Sequence, residues 1–241
     1  MRFTHYVALG DSMSTDEYPT CDLLQLDAVP GELLPAGAAA LLYRNRDDLW
    51  PEFAGTDLAT LCPGIEAKVL AWDGAIIEDV LTDELSRVGR DNAGARLLIT
   101  LTAGGNDLLD ALTVERRLAE VLEEISGRYA ELVTTLRDEF PGATLLLATV
   151  YDPTDGSGLL PELSDRYGRL PIEHLHRFNE HVRRLAGRTS GARLADVHRH
   201  FLGHGVSAPP ADRWYWKGSL IEPSSRGASE IRRLWWRALA R

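Results

Sequence analysis

Small and polar residues that follow apolar runs are the first features of this sequence that could do chemistry. Gly10-Asp11-Ser12 directly follows the apolar run Thr4–Leu9. Asp73-Gly74-Ala75 follows a second run, and Gly104-Gly105-Asn106-Asp107 follows a third. A serine hydroxyl can attack a carbonyl carbon, and backbone N–H groups with a side-chain amide can stabilise the resulting oxyanion. These residue types therefore predict acyl transfer, with Ser12 as the nucleophile.

The three segments meet only if the apolar runs before them form a parallel sheet. Five short runs rich in Val, Leu, Ile and Ala are typical of buried parallel strands, and amphipathic helical patterns lie between them. This alternation predicts an α/β fold with helices on both sheet faces, in a single domain over residues 1–241. Ligands bind beyond the carboxyl ends of such strands, where the three segments would lie. The predicted strands are Thr4–Leu9, Ala67–Ala71, Arg96–Thr102, Ala143–Val150 and Arg193–Val197, and the predicted helices are Ile76–Arg87, Glu115–Phe140, Ile172–Arg188 and about Ser225–Ala240.

Two stretches, Thr15–Pro35 and His200–Pro223, show no clear periodicity. Each follows a predicted strand, and loops of this length in a compact domain often act as lids or binding loops. The second contains the aromatic cluster Trp214-Tyr215-Trp216. Packing in the core is the plain interpretation of this cluster, and a wall for an acyl or sugar group is the functional alternative.

Composition excludes several classes of partner. The chain has 241 residues and a formal net charge of −10, which argues against general binding to nucleic acids or anionic membranes. The two cysteines, Cys21 and Cys62, are too few for a disulfide framework and fit no zinc motif. No run has the length needed to cross a bilayer, and the first ten residues lack the apolar core of a signal peptide. We therefore expect a cytoplasmic protein that acts on a small-molecule ester; its oligomeric state is left open.

The three segments, in this order, resemble the conserved blocks of the SGNH/GDSL hydrolases. Gly10-Asp11-Ser12 is similar to the nucleophile block, Gly74 to the glycine of the second block, and Gly104-x-Asn106-Asp107 to the third block. The resemblance extends from Tyr6 to the last predicted helix. It implies a flavodoxin-like, three-layer α/β/α fold, with Ser12 as nucleophile and an oxyanion hole formed by the Ser12 N–H, the Gly74 N–H and the Asn106 amide.

The last block departs from the family pattern, which ends in Asp-x-x-His before the final helix. Here the corresponding stretch is Ser219-Leu220-Ile221-Glu222, so Glu222 stands where the family has its base. The last histidine of the chain is His204, eighteen residues earlier.

Three hypotheses for the activation of Ser12 follow. His204 could act as the general base, oriented by Glu222 or Asp212, because an imidazole titrates near neutral pH. Glu222 could itself be the base, although an ordinary glutamate, with a pKa of about 4.3, is a weak base unless burial raises its pKa. The site could also be impaired and bind a ligand without efficient turnover.

The predicted activity is hydrolysis of a carboxylic ester with a short acyl or acetyl group through an acyl-Ser12 intermediate. The alternatives are a binding protein with an impaired site, and an acyltransferase or thioesterase that uses the same serine. The predicted catalytic residues are Ser12, Gly74, Asn106, Glu222 and His204, with Asp11 and Asp107 in structural roles. No cofactor is expected. No metal is expected either, because the pair His198-x-His200 has no evident third ligand.

Overall fold

A five-stranded parallel sheet forms the centre of this protein, as the sequence predicts. The computed structural model describes residues 3–89, 96–113, 118–161, 163 and 168–240. The sheet has the strand order β2-β1-β3-β4-β5, and every neighbouring pair is parallel. Its strands are β1 (His5–Gly10), β2 (Glu66–Val69), β3 (Leu97–Thr102), β4 (Thr144–Ala148) and β5 (Ala192–Ala195).

Helices cover both faces of the sheet, and a short antiparallel hairpin precedes the last helix. The hairpin consists of β6 (Tyr215–Trp216) and β7 (Ser219–Pro223). The helices are α1 (Glu17–Leu24), α2 (Ala38–Tyr43), α3 (Leu58–Leu61), α4 (Ile77–Asp79), α5 (Leu85–Val88), α6 (Gly105–Ala111), α7 (Leu118–Glu139), α8 (Ile172–Arg188), α9 (Val197–Phe201) and α10 (Ser225–Leu239). Among the described helices, none combines the length and apolar character that a bilayer crossing needs.

Successive residues of the central strands point into two different helical layers, because side chains alternate along a strand. In β1, Val7 and Leu9 pack in a core that includes residues of α7 and α8. Tyr6 and Ala8 pack on the opposite face, in a core that includes residues of α2 and α10. The three-layer α/β/α fold is therefore present, and the central strands β1, β3 and β4 are buried on both faces.

The sheet reverses its winding direction between β1 and β3. The chain passes from β1 outward to the edge strand β2, and then crosses to β3 on the other side of β1. Such a topological switch point leaves a crevice beyond the carboxyl ends of the two strands. Gly10 and Thr102, the last residues of β1 and β3, are paired at this point.

Several boundaries differ from the sequence predictions. β2 was expected to be buried on both faces, but it is an edge strand and most of its residues are exposed. Thr15–Pro35 is not wholly irregular, because it contains α1. The strand predicted to end at Val197 ends at Ala195. His198 and His200 follow it on α9, a helix that the Asp196 side chain caps by accepting a hydrogen bond from the Arg199 N–H.

Two more predictions concern segments with partly regular structure. The predicted helix over Ile76–Arg87 forms, but Val80–Glu84 takes a π-helical turn between α4 and α5. The predicted loop His200–Pro223 contains the β6–β7 hairpin. The predicted start of the long helix at Glu115 lies outside the described residues, which resume with α7 at Leu118.

Candidate active site

The turn that carries Ser12 is fixed by backbone geometry at the end of β1. Gly10 has a φ of +118°, and a Cβ at this position would collide with the Thr102 carbonyl oxygen. The Asp11 N–H donates to the same carbonyl at 2.9 Å, while the Asp11 carboxylate accepts from the Met13 N–H at 3.1 Å. These bonds confirm the structural role expected of Asp11. They hold Ser12, which is 7% exposed, above the carboxyl end of the sheet.

The second and third segments are bonded to each other. The Asn106 side-chain N–H donates to the Ala75 carbonyl at 2.9 Å, and the Asp107 carboxylate accepts from the Ile77 N–H at 3.0 Å. Asn106 is therefore oriented by the turn that contains Gly74, and Asp107 has the structural role expected of it. Gly74 itself is exposed and has a φ of +85°.

A buried carboxyl group lies beneath the nucleophile turn. Glu84 is fully buried in the π-helical turn, and its Oε2 accepts a hydrogen bond from the Gly10 N–H at 2.7 Å. Burial raises the pKa of Glu84 to about 8, and the nearby charge of Asp11 adds to the rise. Burial also raises the pKa of Asp11, to about 6. At neutral pH Glu84 is therefore mostly protonated while it supports the backbone next to Ser12.

Sequence reasoning missed Glu84, although a signal was present. Ile77, Val80, Glu84 and Val88 recur at spacings of three and four and are all buried. A carboxyl group on the apolar stripe of a helix is unusual, because burial of a charge is costly unless it is compensated. Acidic residues at such positions deserve inspection as candidates for site residues.

Ser12 opens into a pocket with mostly apolar walls. The pocket contains about 990 Å³ of space, part of it open to solvent. The described residues that line it include Ser12, Asn106 and Glu222, and do not include Gly74 or His204. Much of the wall is aliphatic and comes from α6, α7 and the segment that leads into α8. These aliphatic residues include Leu108, Leu109, Leu112, Leu118, Leu122, Ile125, Leu160, Leu163, Leu170, Ile172 and Leu175.

Glu222 reaches the pocket from β7 and is 8% exposed. The Tyr151 hydroxyl donates to the Ile221 carbonyl at 2.7 Å, which holds the strand beside the pocket. Burial, the hydrogen bond to Asp73 and the negative charge of Glu222 together raise the pKa of Tyr18. Glu222 is therefore buried, lies close enough to Tyr18 for its charge to act on that side chain, and lines the same pocket as Ser12.

His204 is held elsewhere. Its ring stacks on Trp214, with centroids 3.6 Å apart and planes 6° apart, and its Nδ1 lies 2.9 Å from the Asp212 carbonyl oxygen. Trp214, Tyr215 and Trp216 are buried, which agrees with the plain interpretation of this cluster as core.

His174 is the histidine that lines the pocket; all seven histidines lie in the described residues. It lies on α8, as do His176 and His181. His174 is partly buried, whereas His176 is exposed. Phe178, four residues after His174 on α8, is buried, but the other positions next to His174 are mostly polar and gave no clear sign that it faces the pocket.

Comparison with known proteins identifies the family of this chain. A model of the GDSL-like lipase/acylhydrolase family matches residues 8–228. The chain belongs to this family. As a GDSL-like hydrolase it is an enzyme that cleaves esters. A search of curated protein sequences finds no match.

Solved structures share the fold over almost the whole chain of this GDSL-like hydrolase. An acetylxylan esterase from Geobacillus stearothermophilus is 16% identical with a TM-score of 0.61, covering 100% of this chain and 95% of its own. A phospholipase A1 from Streptomyces albidoflavus is 20% identical with a TM-score of 0.55, covering 99% of this chain and 98% of its own. An extracellular lipase from Streptomyces rimosus is 19% identical with a TM-score of 0.56, covering 98% and 99%. At these identities the likeness supports the fold alone.

Proposed function

We propose that this hydrolase cleaves a carboxylic ester through an acyl-Ser12 intermediate, with Glu222 as general base. The observation that carries the proposal is that Ser12, Asn106 and Glu222 line one largely apolar pocket. Such a pocket excludes water and strengthens the electrostatic interactions made inside it.

In the first step the Ser12 Oγ forms a bond to the ester carbonyl carbon and gives its proton to the Glu222 carboxylate. The carbonyl oxygen becomes an oxyanion, which accepts hydrogen bonds from the Ser12 N–H, the Gly74 N–H and the Asn106 amide. Asn106 uses one amide hydrogen to bind the Ala75 carbonyl, and an amide carries a second hydrogen for the oxyanion. The tetrahedral intermediate then releases the alcohol, which takes the proton from Glu222.

In the second step water attacks the acyl-Ser12 carbonyl and gives its proton to Glu222. The intermediate collapses, the Ser12 oxygen regains a proton from Glu222, and the carboxylic acid leaves. Every proton and bond is accounted for by the serine, the glutamate, the ester and one water, so the step needs no further reactant.

The aliphatic wall of the pocket bears on the acyl group. It can bury the methylene groups of an extended acyl chain at about 0.8 kcal/mol per CH₂ group, and an acetyl group has no such methylene groups. We therefore extend the prediction of a short acyl group to aliphatic acyl chains of medium length.

A set of variants tests the proposal on p-nitrophenyl esters from acetate to decanoate. Ser12→Ala should lose turnover, and Glu222→Gln should lower kcat by about 10²- to 10⁴-fold, the usual contribution of a general base. Glu139→Gln, at the exposed end of α7, is the matched control and should behave like the wild type. His204→Ala should also retain activity. If that variant loses activity while Glu222→Gln retains it, His204 and not Glu222 is the base.

His174 also lines the pocket and is the remaining candidate for the base, and His174→Gln tests it. Retention of activity in this variant supports Glu222, whereas a loss as large as that of Ser12→Ala would replace Glu222 by His174. If the wild type is no faster than Ser12→Ala on the whole ester series, the proposal fails and a binding role becomes the better account. Added alcohol acceptors that receive the acyl group would instead indicate an acyltransferase.

A further inference from the structure

Three side chains of metal-ligand type meet at one side of the pocket, beyond the end of β4. Asp152 follows β4, His176 lies on α8, and His198 lies on α9. One ligand atom from each lies within 4.8 Å of the others. The two imidazole rings meet edge to face, with centroids 5.2 Å apart.

His198 gives the first independent sign of a ligand. The residue is 7% exposed, and its Nε2 is buried without a hydrogen-bond partner among the described residues. A buried polar atom that lacks a partner costs about 1–3 kcal/mol, so such atoms are rare in folded proteins. A metal ion would provide a partner for this imidazole.

Asp152 is already held in a fixed orientation. Its Oδ1 accepts from the Thr154 N–H at 2.8 Å and from the Thr154 hydroxyl at 2.6 Å, and its Oδ2 accepts from the Gly156 N–H at 2.7 Å. Asp152 is fully buried, and the donors of these three hydrogen bonds are neutral groups of Thr154 and Gly156. Ligands of metal ions are commonly oriented by hydrogen bonds of this kind, and an ionised carboxylate oxygen can bind a cation while it accepts them.

We propose that Asp152, His176 and His198 form a binding site for one divalent transition-metal ion, with Zn²⁺ as the ion that fits the ligand set. Two imidazoles and one carboxylate are ligands that Zn²⁺ takes, whereas Ca²⁺ and Mg²⁺ prefer oxygen ligands alone. The three ligand atoms are already within 4.8 Å of one another, His176 is exposed and so free to adjust, and water would complete the coordination.

This site revises one expectation from the sequence. No metal was expected, because the pair His198-x-His200 has no evident third ligand; the proposed site uses His198 without His200, which is bound to Glu230, with Nε2 and Oε2 2.8 Å apart. Because α9 is a helix, His198 and His200 point in different directions. The partners of His198 come instead from residues 22 and 46 positions earlier in the sequence, and no spacing rule joins them.

The ion would link three separate elements, the segment after β4, α8 and α9. Asp152 also lines the pocket of Ser12, so the ion would stabilise one wall of that pocket without contact to the reacting atoms. The site is thus a structural one and is independent of the proposed serine mechanism.

Calorimetric titration of the full, tag-free chain with Zn²⁺ after chelator treatment tests the site. We expect one ion per chain, and a melting temperature about 5–10 °C higher at a free Zn²⁺ concentration of 100 Kd. His176→Ala removes an exposed ligand and should fold normally, yet bind Zn²⁺ at least 10-fold more weakly. Asp152→Asn and His198→Ala should weaken binding as much or more. His5→Ala, at the start of β1, is the control and should bind like the wild type.

Absence of a 1:1 complex, or equal Zn²⁺ affinity in His176→Ala and the wild type, would overturn the site. The result with His176→Ala stands even if the buried variants fail to fold. Ser12→Ala should bind Zn²⁺ like the wild type, so the test is independent of whether the serine mechanism holds. A rise in melting temperature with Mg²⁺ equal to that with Zn²⁺ would also contradict the ligand assignment.

Discussion

Replacement of Glu84 by glutamine tests the buried carboxyl beneath the nucleophile turn. The pKa of this group is about 8 in the folded protein and about 4.3 in an unfolded chain. At pH values between these two pKa values, Glu84 is protonated in the folded protein and ionised in the unfolded chain. The free energy of unfolding therefore decreases as the pH rises from the lower pKa to the higher one. From pH 6 to pH 8 the loss amounts to about 2 kcal/mol at this one position.

Glutamine keeps the acceptor for the Gly10 N–H and cannot ionise. Glu84→Gln should therefore lose about 2 kcal/mol less free energy of unfolding than the wild type between pH 6 and pH 8. Urea denaturation at pH 6, 7 and 8 measures this difference directly. Glu78→Gln, an exposed position one and a half turns earlier on the same helical segment, is the matched control and should retain the pH dependence of the wild type.

Titrating groups that do not interact with Glu84 are common to both proteins, and their contributions cancel in the difference. If Glu84→Gln and the wild type lose the same free energy of unfolding over this range, Glu84 is ionised at pH 6 and the neutral-carboxyl account is wrong. Activity gives a second check, since the glutamine variant should retain most of the turnover at pH 7.

Three further predictions concern the pocket and its turns. Gly10→Ala should yield little folded protein, as measured by circular dichroism, because its Cβ would meet the Thr102 carbonyl; a stable, active variant would contradict the geometry of the turn. Asn106→Ala should lower kcat about 10²- to 10³-fold with little change in KM, as expected for loss of one oxyanion donor, and steady-state kinetics will separate the two. Leu109→Trp puts a larger side chain in the aliphatic wall and narrows the pocket, so it should lower activity on p-nitrophenyl octanoate far more than on the acetate. Equal losses on the two esters would mean that the acyl chain does not bind along this wall.

The fold followed from the sequence because its signals are local. Five apolar runs and amphipathic helices such as α7 predict a parallel sheet with helices on both faces, and the strand order brings the predicted segments to the switch point. Ser12 and Asn106 could be predicted as candidate site residues in this way because each closely follows a strand, and both line the same pocket. The turns after β1 and β3 contain Gly10 and Gly104, which both have a positive φ that favours glycine.

The rest of the site depends on contacts between distant parts of the chain. Glu84 reaches Gly10 across 74 residues, and Asp152 meets His198 through packing of α9 against the segment after β4. No periodicity encodes such contacts. The different positions of Glu222 and His204 were likewise not evident from the sequence: Glu222 lies on β7 and lines the pocket, whereas His204 stacks on Trp214.

Labelling of Ser12 with a fluorophosphonate probe tests the central claim most directly. The intact mass of the wild type should increase by one probe adduct, a peptide map should locate the adduct on Ser12, and hydrolysis of p-nitrophenyl butyrate should stop in proportion to labelling. Ser12→Ala should take up no probe and show no hydrolysis above background. An adduct on another residue, or full activity in Ser12→Ala, would contradict the assignment of Ser12 as the nucleophile.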